Sequence, residues 1–229
     1  MFFFNSSVNV SKSGILRGSI DCHCHLLPGV DDGVQTAEES LRIVQMMKDE
    51  GVKSVIFTPH IMEDCPNKPD NLNKVFLKHE WILPVKLAAE HMVDTGFEVN
   101  LPLPGNNVLF ETSYFAKPVQ FDEAIQSIRK AGFYPLLAHP CRYQYMDEED
   151  YEKLFDQGVR FQLNIPVLSG FFGRTAQSKA MWMIDNKMYF ATGTDTHSEI
   201  QYQRFLESKI SRKYANKLSE LISEVKLSD

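Results

Sequence analysis

The sequence predicts an α/β fold: a closed or nearly closed barrel of seven strand–helix units, in one domain covering residues 1–229. Two observations predict it. Short β-rich runs alternate with helical patterns of about 10–15 residues, the signature of βαβ units and a parallel sheet. A length of 229 residues also suits a single α/β barrel. A doubly wound sheet is the alternative arrangement of the same units.

The first strand is SIDCHCH (19–25). Its helix opens at Thr36 with the capping-box pattern T-A-E-E and stops at Gly51. SVIFTPH (54–60) is the second strand, followed by the helical NLNKVFLKHEWI. VKLAAE (85–90) is the third, and the Pro- and Gly-rich segment 96–106 after it reads as a loop. NVLFET (107–112) is the fourth, with a helix started by Asp122 and ended by Gly132. YPLLAH (134–139) precedes DEEDYEKLFDQG, and RFQLNI (160–165) precedes TAQSKAMWMIDNK. YFATGTD (189–195) is the seventh strand. Beyond residue 197 the chain reads as helical to its end, and the cluster Phe2–Phe4 packs the other terminus.

Thirty acidic against 24 basic residues give a net charge of -6, which leaves no electrostatic footprint for nucleic acid. Cys22, Cys24, Cys65 and Cys141 form no C-x-x-C pair, against a zinc ribbon or a thioredoxin-type site. No apolar run approaches the roughly 20 residues of a membrane span, nor forms a signal-peptide core. The expected location is the cytoplasm, with thiols reduced.

Function is read from where the ionisable residues fall. His23 and His25 end the first strand, His60 the second, Glu90 the third and His139 the fifth; Glu111 nearly ends the fourth. Asp195 ends the seventh and His197 follows it. In a parallel barrel all these strand ends open onto one face. Alternation puts His23, His25 and Asp21 on one side of their strand and Cys22 and Cys24 on the other. Each residue alone has an ordinary explanation, a satisfied core histidine or a loop acid. The joint coincidence does not. Imidazoles with carboxylates and no thiolate suit Mn, Fe or Zn. The donors exceed the needs of one ion, so two or three divalent ions are expected, a set-up for hydrolysis or for in-line displacement at phosphorus. Asp31 and Asp32 remain open at this level, since either serves as a turn residue before Gly33.

The motifs DCHCHLLPGVDDG, TPH, VLFETS, LLAHPCRY and GTDTH, in this order, resemble those of the polymerase-and-histidinol-phosphatase (PHP) superfamily. More narrowly, the chain resembles the bacterial metal-dependent protein tyrosine phosphatases of capsule and exopolysaccharide operons, over roughly residues 19–200. The resemblance implies a distorted (β/α)7 TIM-like barrel with a trinuclear, manganese-loaded site. It implies His23, His25, Asp32, His60, Glu90, Glu111, His139, Asp195 and His197 as ligands, so it selects the second aspartate of the pair. It highlights Arg142 as a clamp for the phosphoryl group. The implied substrate is a phosphotyrosine protein, the tail of a tyrosine autokinase, with homo-oligomer formation left open.

Two positions depart from that pattern. Cys141 stands where the family usually has Glu, and Tyr202 where it often has a second arginine, with Arg204 the nearest substitute. Asn164, Gly170, Phe171 and Gly173 resemble a pocket-lining loop, and a core strand plus turn explains them as well.

A cysteine-based phosphatase requires C-x5-R, but the residues six positions after the four cysteines are Pro28, Val30, Asn71 and Asp147. The expected chemistry is therefore metal-activated hydroxide attacking phosphorus in line with a phenolate, whose pKa near 10 makes it a good leaving group. His25 or His197 is the candidate proton donor if metal leaves it a free nitrogen. A histidinol-phosphatase-type small-molecule phosphoesterase and a non-catalytic, metal-stabilised interaction protein are the alternatives.

Overall fold

The computed structural model describes residues 6–94, 98–224 and 227. The expected elements are present with shifted edges, joined by three additional ones: a strand and a single helical turn near the start of the chain and a short strand near its end. β1 (Ser7–Asn9) and the single turn α1 (Val10–Ser13) precede the first expected strand, β2 (Ile20–Cys24). Then follow α2 (Ala37–Asp49), β3 (Ser54–Phe57), β4 (His60–Ile61), α3 (Pro69–Phe76), β5 (Val85–Leu87) and β6 (Glu90–Met92). The second half runs β7 (Asn107–Glu111), α4 (Phe121–Lys130), β8 (Tyr134–Leu137), α5 (Glu148–Asp156), β9 (Arg160–Asn164), α6 (Arg174–Asp185) and β10 (Tyr189–Gly193). It closes with α7 (Glu199–Glu207), β11 (Lys209–Ser211) and α8 (Arg212–Glu224). The region after residue 197 is thus not helical throughout: β11 pairs antiparallel with β1 and ties the two ends of the chain together. The Phe2–Phe4 cluster lies outside the described residues.

The parallel strands form two ladders, β10-β9-β8-β7-β6-β4 and β2-β3-β5. The expected second and third strands are each split, at Thr58–Pro59 and at Ala88–Ala89. Pro59 has no N–H to give to a ladder, so β3 pairs on one side of the break and β4 on the other. Backbone bonds cross the breaks, Thr58 N to Cys24 O at 2.9 Å and Glu90 N to Pro59 O at 3.2 Å. On the other flank Asp195 N donates to His23 O at 2.7 Å and His25 N donates to Thr196 O at 2.9 Å. The end of β2 therefore lies against the residues that follow β10.

Helix starts follow from side-chain caps. Thr36 accepts from Glu39 N, and Asp147 forms a complete capping box with Asp150. α4 begins one residue before Asp122, after Gln120, which makes no side-chain cap. The helices bury apolar stripes such as Ile43, Val44 and Met47 of α2 against the outer strand faces, forming the larger core cluster. A smaller cluster holds Cys22, Ile56, Leu109, Leu136, Ala138 and Ala191.

Strand parity fails at one place. Cys22 packs in the smaller cluster and Cys24 in the larger, so the two thiols do not share a face. The register of β2 against β3 shifts between Asp21 and Cys24, and an extra residue of this kind inverts the alternation. Asp21 consequently leaves the imidazoles: apart from the His23 backbone N–H at 3.2 Å, it accepts from Thr194 N at 3.0 Å and from Thr194 Oγ1 at 2.6 Å. Burial raises its pKa to about 6 against those hydrogen bonds.

The histidine-bearing strand is also gripped by a glycine. A Cβ at Gly193 would lie 2.7 Å from His23 Cβ and 2.8 Å from His23 N. Gly193→Ala is expected to destabilise the metal-free protein by about 1–3 kcal/mol, the usual cost of overpacking. Thermal unfolding reads this as a fall of roughly 2–12 °C for a chain of this size, and an unchanged midpoint would show that the strands can separate freely.

Candidate metal centre

Five of the seven histidines meet at the carboxyl ends of the strands. His23 and His25 come from the end of β2, His60 opens β4, Glu90 opens β6 and Glu111 ends β7. His139 follows β8, and Asp195 and His197 follow β10. Four groups of donors result, with the ligand atoms in each within 4.8 Å of one another: His25–Asp32–His60–His197, His23–His25–Asp195, His23–Glu90–His139 and His60–Glu90–Glu111. The structure thus brings together every residue that the strand-end pattern singled out, and Asp32 with them.

Glu90 stands at the middle. Its Oε2 lies 3.2 Å from His23 Nε2, 3.3 Å from His25 Nε2 and 3.3 Å from His60 Nδ1, while Oε1 lies 3.1 Å from His139 Nε2. Yet Glu90 Oε2 and His60 Nδ1 have no hydrogen-bond partner, and both are buried. The atoms are close but do not point at one another. Two donors about 2.0–2.1 Å from a shared cation stand roughly 2.8–3.4 Å apart, from octahedral or tetrahedral geometry. The donor set and its spacing therefore fit divalent cations, and buried polar atoms left unpaired otherwise carry a large penalty.

The electrostatics agree. Burial pushes the His23 pKa down, but the Glu90 and Asp195 carboxylates outweigh it and raise it to about 9. His25 is likewise driven up, against burial, by the nearby carboxylates of Asp195, Asp31 and Glu90. Without a cation, protons on the imidazoles hold the carboxylates together.

The backbone is shaped for this convergence. His139 has φ 32° and Asp195 φ 54°, both left-handed conformations that non-glycine residues seldom adopt and that cluster at functional sites. Each lies where a strand ends and the chain turns sharply beneath the cluster.

The aspartate pair divides its tasks. Asp31 Oδ2 sits 2.8 Å from His25 Nδ1 and accepts from His60 N at 3.1 Å, while its Oδ1 accepts from Gly33 N at 3.0 Å. Despite burial, the bond to His25 holds the Asp31 carboxyl down at about 2. Asp32 instead is exposed, with Oδ1 3.4 Å from His60 Nε2 and 3.5 Å from His197 Nε2.

His25 is fully enclosed with one ring nitrogen on Asp31 and the other among Glu90, Asp195 and His23, so it has no nitrogen left for proton donation. His197 is more open, at 26 % side-chain exposure, with Nδ1 2.9 Å from Asp195 O. Burial and the neighbouring His25 lower its pKa.

Arg142 reaches the centre from the turn after His139. Its Nη1 donates to Asp195 Oδ2 at 2.9 Å, and its guanidinium lies 4.4 Å from the Tyr114 ring centre and 4.8 Å from that of Phe172. Tyr202 is not a substitute for a second arginine: it is fully buried against Phe205. Arg204 is exposed on the last turn of α7. Cys141 is buried, and burial raises its thiol pKa to about 12. His91 is turned away, with Nδ1 3.0 Å from Leu109 O.

Sequence reading missed Gln162 and the role of Asp31. Gln162 is buried beside His23, its Oε1 3.0 Å from His23 Nδ1. A glutamine at an inward position of a β-rich run (RFQLN) was the available signal.

Residues 19–101 and 99–224 match the model of the CpsB/CapC family, described as capsular polysaccharide synthesis. The chain belongs to the CpsB/CapC family. Among curated proteins it is 25% identical over 196 residues to the tyrosine-protein phosphatase YwqE of Bacillus subtilis, covering 78% of this chain and 77% of that protein. It is 25% identical over 229 residues to the tyrosine-protein phosphatase CpsB of Streptococcus pneumoniae, covering 88% and 94%. Among solved structures it superposes with TM-score 0.69 at 21% identity on a chain from a study of these two proteins, described there as unique metal-dependent tyrosine phosphatases, covering 90% of this chain and 91% of that one. A phosphotriesterase homology protein from Escherichia coli superposes with TM-score 0.52 at 10% identity, covering 90% and 92%. These CpsB/CapC and phosphotriesterase-like folds are mixed α/β, as the present one is. Among the described residues no helix is long and apolar enough to cross a membrane.

Proposed function

We propose that this CpsB/CapC-family protein is a metal-dependent phosphotyrosine-protein phosphatase, acting in the cytoplasm on the tail of a tyrosine autokinase that regulates capsular or exopolysaccharide synthesis. The observation that carries the reading is the buried, unpartnered Glu90 Oε2 surrounded by three imidazole nitrogens at 3.2–3.3 Å. The curated relatives' activity and the family match support it. The fold is read as one domain of seven strand–helix units in a distorted barrel, two of whose strands are split so that nine parallel segments result.

His23, His25, Asp32, His60, Glu90, Glu111, His139, Asp195 and His197 would hold two or three divalent ions, manganese in preference to iron or zinc. Bound there, such ions supply a hydroxide near neutral pH and polarise a phosphoryl oxygen. The rest falls to the protein. Glu90 and Asp195 set the spacing of the donors, and Asp31 fixes the His25 ring. Arg142 uses Nη1 on Asp195 and offers its remaining N–H groups to phosphoryl oxygens, stacked between Tyr114 and Phe172 so that the fork cannot swing. His197, partly open and next to Asp32, passes a proton to the leaving phenolate only in a two-ion arrangement that leaves its Nε2 unbound.

Assay of the manganese-loaded protein on a phosphotyrosine peptide, a phosphoserine peptide and histidinol phosphate tests the substrate class. Turnover of the phosphotyrosine peptide at least tenfold above the others is expected. A preference for phosphoserine or histidinol phosphate would overturn the reading.

A further inference from the structure

β9 contributes no imidazole or carboxylate to the donor groups, yet it faces them with two fully buried amides, Gln162 and Asn164. Their hydrogen bonds have only one consistent assignment. The backbone N–H of His139 can only donate, and it lies 3.0 Å from Gln162 Oε1, so this atom is the amide oxygen. At the other end Asp195 Oδ2 accepts from Arg142 Nη1 at 2.9 Å, a guanidinium that can only donate. Asn164 Nδ2 donates to the same oxygen at 2.8 Å, and Asn164 Oδ1 accepts from Gln162 Nε2 at 3.0 Å. Both amides are thereby pinned in one orientation from both ends.

The consequence falls on His23. Its Nδ1 lies 3.0 Å from the same Gln162 oxygen, which has no proton to give, so Nδ1 must carry the hydrogen. In the neutral ring the lone pair is then on Nε2, which faces Glu90 Oε2 at 3.2 Å and Asp195 Oδ1 at 3.4 Å. A lone pair aimed at two carboxylate oxygens repels them unless a cation stands between.

We infer that Gln162 is a positioning residue that fixes the Nδ1–H tautomer of His23 and, through the His139 N–H, the left-handed turn that carries His139, so that both imidazoles are preset for a divalent cation. Asn164 holds Gln162 in that orientation and links it to Asp195. The arrangement does for His23 what Asp31 does for His25, with a neutral amide in place of a carboxylate. A neutral partner adds no negative charge to a centre already crowded with carboxylates. The inference rests on the metal reading above.

Zinc titration of the chelator-stripped full-length protein tests it, because zinc is diamagnetic and permits nitrogen NMR of the imidazoles. In the zinc-loaded wild type, His23 is expected to show a proton on Nδ1. Gln162→Met, similar in shape but without the acceptor, is expected to bind zinc about 10–100-fold more weakly, as for other outer-shell partners of metal-bound histidine. Gln162→Glu keeps an oxygen on both donors but loses the N–H given to Asn164 Oδ1, and is expected to bind zinc more tightly than Gln162→Met. Gln162→Met binding as wild type does, or a His23 proton on Nε2 in the loaded wild type, overturns the inference. Should Gln162→Met not fold, the position of the His23 proton in the zinc-loaded wild type decides by itself. A wild type that binds no zinc removes the metal reading itself, a separate result.

Discussion

Glu90→Gln is expected to lower turnover of a phosphotyrosine peptide by more than about 10³-fold, well beyond the ~10–100-fold carried by outer-shell partners, while circular dichroism stays that of a folded chain. The reason is geometric. Glu90 appears in two of the four donor groups, and its two oxygens lie within 3.3 Å of four imidazole nitrogens. No other carboxylate of the cluster touches as many. The amide keeps the shape and one oxygen but loses the negative charge that would offset cations held by either donor group. Metal analysis of the variant should show reduced occupancy in step with activity. Full activity with full metal content would remove Glu90 from the centre.

Stripping the protein of divalent ions is expected to abolish activity and to lower the thermal midpoint, with both restored by manganese. A cation at a thousandfold excess over its Kd adds about 4 kcal/mol to the folded state, a rise of roughly 8–16 °C for a domain of this length. The shift has a pH signature whose sign follows from His23. Its folded pKa, about 9, lies above the unfolded 6.5. In the metal-free protein the proton on His23 therefore stabilises the fold fully below pH 6.5, and this contribution is lost as pH rises towards 9. Cations displace that proton, so loading releases protons at neutral pH and affinity rises with pH over the same window. The gap between loaded and stripped midpoints should widen between pH 6.5 and 9. A gap that narrows there would mean that His23 does not share its carboxylates with a metal.

The cluster was legible in the sequence because β-strand ends are legible. Runs such as SVIFTPH and YPLLAH place His60 and His139 just past the carboxyl ends of β3 and β8, and parallel topology then brings such ends to one face. Element boundaries shifted by a few residues, as in α3, which ends at Phe76, before the expected helix pattern does. Such shifts did not matter to the site. What failed were inferences from strict alternation. The register shift in β2 sent Asp21 to Thr194 and parted Cys22 from Cys24, and nothing in SIDCHCH announces a bulge.

The sequence by itself determined the chemical class of the centre: imidazoles and carboxylates in excess of one ion, with cysteine nucleophiles excluded by the absence of C-x5-R. Tertiary structure alone decided which groups orient the others. Asp31 and Asp32 are adjacent and chemically identical, and only the path of the turn past His25 assigns one to the imidazole and the other to the open face. Gln162 looks like any strand glutamine until β9 is laid beside β8 and β10, 23 residues from His139 and 139 from His23 along the chain. A ligand's identity is local and can be read from residue type. Its tautomer, its rotation and its spacing to other ligands are set by partners distant in sequence, so they exist only once the chain is folded.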